Sequence, residues 1–123
     1  MTTDYPYTIN YDVAYGFLKI IDIDRIRSEV PEGWFNQTLC EVNDSVIRLG
    51  LFEGEFHWHQ HEREDEFFYV IDGTLYIDLE DRVVELKPHQ GFTIPKGVQH
   101  RTRAPERTAV LMVEQKTVIA TGD

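Results

Sequence analysis

The sequence has a single cysteine, Cys40, in 123 residues. No disulfide can form within the chain, which fits a reducing compartment and makes the cytoplasm the expected location. Long apolar runs are also missing. None approaches the ~20 residues that span a bilayer, and the opening MTTDYPYTINYD has no basic region leading into an apolar stretch. Neither membrane insertion nor secretion is expected. Basic residues are few: 12 lysines and arginines face 22 aspartates and glutamates, for a net charge of −10. Such a field repels phosphate backbones, and the arginines form no long basic stripe, so a nucleic-acid partner is not expected. Repeats, low-complexity tracts and interdomain linkers are absent, and helical signals are confined to residues 22–30.

What is present describes one acidic domain, 41% hydrophobic, of a size that buries roughly two-thirds of the surface its unfolded chain exposes. A core of that extent needs no staple, so a bound metal would serve chemistry rather than folding. From 34 to 113 the chain reads as short β-rich runs: WFNQTLCEV, SVIRLGLF, EFHWHQH, EFFYVI, TLYIDL, RVVEL, GFTIP, VQHRTR and TAVLMV. Turn formers separate them at Asn43-Asp44, Glu53-Gly54, Asp72-Gly73, Glu80-Asp81, Pro88 and Ala104-Pro105-Glu106, and Asp72-Gly73 predicts a hairpin. Many closely spaced strands predict an all-β sandwich or barrel. At most one short helix is expected, where Asp22 or Asp24 caps IDRIRSEV and Pro31 and Gly33 end it. The expected organisation is an N-terminal arm with that helix over 1–33, one barrel over 34–114 and a C-terminal tail over 115–123. The first dozen residues have no clear period; a disordered tail and an arm packed on a second subunit both fit them.

Four histidines concentrate the chemistry. His57, His59 and His61 alternate in FHWHQH, which on a strand puts them on one face with successive side chains about 6–7 Å apart. Two imidazoles so spaced can converge on one metal ion, whereas the outer pair of three would lie ~13 Å apart, so one of the three is a bystander. Glu66 opens the next run and shares a face with Phe68 and Val70, which puts a carboxylate on an apolar face where it needs a partner. In IPKGVQH a rigid proline and a permissive glycine precede His100 and aim its imidazole.

These residues resemble the cupin superfamily, small jelly-roll barrels whose first motif reads G-x5-H-x-H-x3-4-E-x6-G and whose second reads G-x5-P-x-G-x2-H-x3-N. His59-x-His61, four residues, Glu66, six residues and Gly73 match the first, and Pro95-x-Gly97-x2-His100 matches the second. The stretches WHQHEREDEFFYVIDG and FTIPKGVQHRTRA are similar to the single-domain cupin-2 proteins of the mannose-6-phosphate isomerase-like group. The resemblance covers most of residues 34–114. It departs at three places: His89 stands where the second motif has glycine, Gly54 lies one residue too near His59, and Ala104 replaces the asparagine after His100.

The resemblance implies a double-stranded β-helix with His59, His61, Glu66 and His100 as ligands of one divalent transition metal ion, leaving His57 as the bystander at the rim. Three histidines and a carboxylate leave one or two coordination positions open and admit iron, manganese, zinc, nickel, cobalt or copper. The implied function is a metal-dependent enzyme on a small polar organic molecule, of dioxygenase type. The alternatives are a sugar or keto-acid isomerase or epimerase and a non-catalytic binding module. No acid or base besides the ligands stands out; Glu114 and Tyr69 qualify only if their strand faces turn inward. Phe68, Val70 and Ile94 are expected to keep the pocket dry. Glu62, Glu64 and Asp65 read as a solvated loop, and Arg48, Arg101 and Arg103 as surface ion-pair residues. Trp58 and His89 read as packing and turn residues. Open sheet edges and outward aromatics such as Tyr69 and Tyr76 suggest a homodimer.

Overall fold

In the computed structural model, which describes residues 7–123, the chain is a β-barrel with one short helix. The elements in order are β1 (Tyr7–Asn10), α1 (Ile23–Glu29), β2 (Trp34–Val42), β3 (Ser45–Glu55), β4 (Glu66–Asp72), β5 (Leu75–Leu79), β6 (Val83–Leu86), β7 (Gly91–Ile94) and β8 (His100–Gln115). Sheet neighbours run β1-β2-β3-β8-β4-β7, with β5 joined to the other half of β8 and β6 to β5. β8 is the spine: it pairs with β3 along most of its length and with β4 and β5 in succession on its other side.

Alternation along the strands sorts side chains into two cores. Trp34, Phe52, Phe56, Phe68, Leu75, Ile77 and Met112 fill the barrel, while Phe35, Leu39, Leu49 and Leu51 point the other way. That second face is covered by α1 through Ile23 and Ile26, with Ile21 and Val30 flanking it. The Asp22 side chain caps α1 by accepting from Arg25 N at 3.1 Å, as the sequence predicts.

Several local expectations are corrected. Asp72-Gly73 does not close a hairpin, since β4 and β5 pair with β8 and not with each other. Gly73, at φ 89°, instead turns a corner against Thr108, whose hydroxyl lies 2.4 Å from where a Cβ would stand. The hydroxyl accepts from Thr74 N there and donates to Thr74 O. Tertiary packing thus uses the turn signal for a bend in a continuous edge. β8 likewise runs through Ala104-Pro105-Glu106 without a break, because Pro105 sits where the β3–β8 register shifts and no ladder bond is asked of it. β3 runs through Glu53-Gly54 to Glu55. Residues 7–10 are ordered as β1, which lies parallel on the chain's own β2. The rest of the opening segment, residues 1–6, lies outside the described residues. His89 stands at φ 70°, the left-handed conformation glycine favours, so the histidine in the motif's glycine position keeps the turn.

Candidate metal centre

FHWHQH is not a regular strand. After β3 ends at Glu55 the chain stays beside β8: Phe56 N donates to Thr102 O at 2.9 Å, and in an isolated bridge His59 and His100 exchange N–H···O bonds of 2.9 Å each. That bridge brings the two rings to 4.3 Å between centroids. His61 is fixed next: its carbonyl accepts from Gly97 N at 2.7 Å, which ties the histidine pair to the Pro95–Gly97 turn. Glu66 enters as the first residue of β4, held between Ile94 of β7 and Glu114 of β8.

Each histidine anchors its outer nitrogen. His59 Nδ1 donates to His57 O at 3.0 Å and His100 Nδ1 to Val98 O at 2.9 Å, while His61 Nδ1 meets Asp123 Oδ1 at 2.9 Å. A carbonyl can only accept, so Nδ1 carries the proton in His59 and His100 and the Nε2 lone pair is left free. One donor atom each from His59, His61, Glu66 and His100 then falls within 4.8 Å of the others, and all four residues are buried. His61 Nε2 and His100 Nε2 stand 3.5 Å from Glu66 Oε1, long for a hydrogen bond, and all three atoms are buried without a partner. Buried polar atoms left unpaired cost about 1–3 kcal/mol each, so this cluster fits a cation at its centre.

Burial, and then the neighbouring His100, push the His59 pKa down to about 3, which keeps its imidazole neutral. Burial also acts against charge on His61, but the facing Glu66 and then Asp123 outweigh it and raise its pKa. For Glu66 burial disfavours the charge, yet the neighbouring Glu114, His100 and His61 side chains outweigh it and hold its pKa well below the usual carboxylate range. Burial and the adjacent Glu66 charge push Glu114 well above it.

The other residues singled out from the sequence lie outside the cluster. His57 packs against Phe56 and Tyr7, with Nε2 2.7 Å from Thr121 O. Trp58 is exposed beneath the Arg101 guanidinium, and Tyr69 faces out to His89 Nδ1 at 2.9 Å. Arg101 and Arg103 both pair with Asp78. Two expectations are overturned. Arg48 is 2% exposed instead of lying at the surface, and it donates to Glu114 Oε1 at 2.7 Å. Glu64 is buried against the Thr117 hydroxyl instead of being solvated; Glu62 and Asp65 are exposed.

His59 and Glu66 border a small cavity of about 20 Å³, walled by Trp34, Phe52, Phe56, Phe68 and Met112 and otherwise polar only at Asn36 and Thr102. Of the three apolar residues expected there, Phe68 lines it; Val70 and Ile94 lie in the barrel core behind. Asn36 Oδ1 is buried with no partner. Asn36 carried no signal in the sequence; Glu114, a candidate only if its strand face turned inward, does face inward, sharing the even-numbered face of β8 with His100, Thr102 and Met112.

The cupin domain model matches residues 50–116, more than half of the chain and all four clustered residues. The chain is a cupin. Its similarity to the protein YdbB of Bacillus subtilis is 43% identity over 99 residues, 80% of this cupin and 88% of YdbB. A cupin-2 domain protein from Shewanella frigidimarina superposes with a TM-score of 0.73 at 34% identity, covering 78% of this chain and 94% of that one. Similarity to a mannose-1-phosphate guanylyltransferase of Sinorhizobium fredii, 32% over 94 residues, takes in 76% of this cupin but 18% of that enzyme. No helix among the described residues is long and apolar enough to cross a membrane.

Proposed function

We propose that His59, His61, Glu66 and His100 hold one divalent transition metal ion and that the cupin is a metal-dependent enzyme of dioxygenase type acting on a small organic molecule. The observation that carries the metal reading is the set of three buried, unpartnered donor atoms aimed at one another from His61, His100 and Glu66. Iron(II) bound there would supply dioxygen activation, and another divalent ion the polarisation of a substrate oxygen.

The chain's own residues shape the rest. His59 and Glu66 turn the cluster toward the cavity, so a substrate enters from that side. The aromatic walls exclude water and favour a mainly apolar substrate, and Asn36 Oδ1 accepts a hydrogen bond from its polar end. Apart from His59 and Glu66, no described residue lining the cavity has an ionisable side chain. An isomerase needs a separate proton acceptor beside the ion, and an oxygenase does not, which favours the oxygenase over sugar or keto-acid isomerisation. A homodimer is proposed with it, supported by the outer edges of β1 and β7, which pair with no described strand.

Anaerobic reconstitution with iron(II), followed by air and a panel of phenols, diketones and thiols, tests the reaction class. Oxygen uptake in proportion to product is expected. Interconversion of sugars or keto acids without air would give the isomerase in its place, and binding without turnover the binding module.

A further inference from the structure

We propose that residues 118–123 belong to the metal centre: they orient His61 through Asp123 and close one wall of the cavity, so that metal retention depends on this segment being docked. The inference rests on the metal reading above and adds a residue group outside its four ligands.

His59 and His100 each find an Nδ1 acceptor two residues back along their own chain, at His57 O and Val98 O. The corresponding carbonyl for His61 is His59 O, and it is already taken by His100 N in the bridge that joins the two ligand segments. In place of that carbonyl, His61 Nδ1 meets Asp123 Oδ1 at 2.9 Å. Metal-binding histidines depend on such partners for ring orientation and basicity.

The segment is fastened for this role. Asp123 N donates to Gln60 O at 3.2 Å, His57 Nε2 meets Thr121 O at 2.7 Å, and Arg48 Nη1 donates to Val118 O at 3.0 Å. Val118 and Ala120 are buried, and Ala120 lines the cavity. Gly122, at φ 108°, brings the backbone so close to the ligand segment that a Cβ would stand 3.0 Å from His59 Cβ.

Titration of the metal-free protein with cobalt(II), followed by zinc competition, reads the effect. Asp123→Ala should weaken ion binding 10- to 100-fold. Asp123→Asn, which keeps an acceptor oxygen, should lose less, and Gly122→Ala should mimic Asp123→Ala with the carboxylate still present. Val83→Ala, exposed on β6 and outside the segment, should stay within twofold of wild type. In the metal-free protein a long-range ¹H–¹⁵N spectrum should show the Nδ1–H tautomer of His61 in wild type and a tautomer mixture in Asp123→Ala. Cobalt affinity within twofold of wild type in Asp123→Ala, or an unchanged His61 tautomer, overturns the inference. A wild-type chain that takes up no ion defeats the metal reading itself, and the tautomer spectrum still decides whether Asp123 orients His61.

Discussion

Glu66 and Glu114 are direct partners across the β4–β8 ladder, two buried carboxyl groups side by side with the Arg48 guanidinium bonded to Glu114 Oε1 at 2.7 Å. Burial and the neighbouring Glu66 push the Glu114 pKa up, and the Arg48 guanidinium acts against that rise. Arg48 also bonds Thr38 Oγ1 and Val118 O, so this one side chain joins β2, β3, β8 and the 118–123 segment.

Arg48→Met should therefore cost about 3–5 kcal/mol of folding stability, because it strips the cation from a buried pair. Urea denaturation measures the loss. Adding Glu114→Gln to Arg48→Met should recover part of it, and a single-variant loss below about 1 kcal/mol would contradict the role assigned to Arg48.

Gly50 lies directly under the Phe52 ring, with a virtual Cβ 2.2 Å from Cζ. The ring is stacked on Trp34 at 4.2 Å between centroids and cannot swing aside freely. Gly50→Ala should cost about 1–3 kcal/mol through overpacking and constrict the cavity that Phe52 lines. Thermal denaturation checks the first effect.

Asp78 carries a pH dependence away from the candidate metal centre. Burial raises its pKa, but hydrogen bonds from Arg103 and Arg101 outweigh it, and the net shift is downward. A depressed folded pKa contributes stability above the unfolded value of about 3.9, lost as pH falls through the folded one. Asp78→Asn should thus be destabilised by about 1–3 kcal/mol at pH 7, and its deficit against wild type should shrink on acidification below pH 4. A deficit that stays constant down to pH 2 would remove the ion pairs as its cause.

Light scattering at micromolar concentration should give twice the 14.4 kDa chain mass. A monomer mass would count against the homodimer.

Much of the barrel and of the candidate site was legible because both depend on local pattern. Alternation in EFFYVI turned Glu66 inward, and the resemblance of HWHQHEREDE and PKGVQH to the cupin motifs singled out the four clustered residues. What escaped depended on which strand lies beside which. Nothing local distinguishes the corner at Gly73 from a hairpin, since Thr108, thirty-five residues on, decides it. Arg48 looked like a surface arginine until β3 was laid against β8 and Glu114 came within reach. Glu64 sits in a charged run, and only Thr117 from the far end of the chain explains its burial.

The metal content of protein purified without an affinity tag tests the central claim most directly. The account predicts close to one transition metal ion per wild-type chain. It also predicts a sharp loss in His61→Ala and His100→Ala, a partial loss in Glu66→Gln because the carboxylate's charge is gone, and near wild-type content in His57→Ala. Equal loss in His57→Ala would contradict the ligand assignment, and a wild-type protein that neither retains nor takes up an ion would contradict the metal centre.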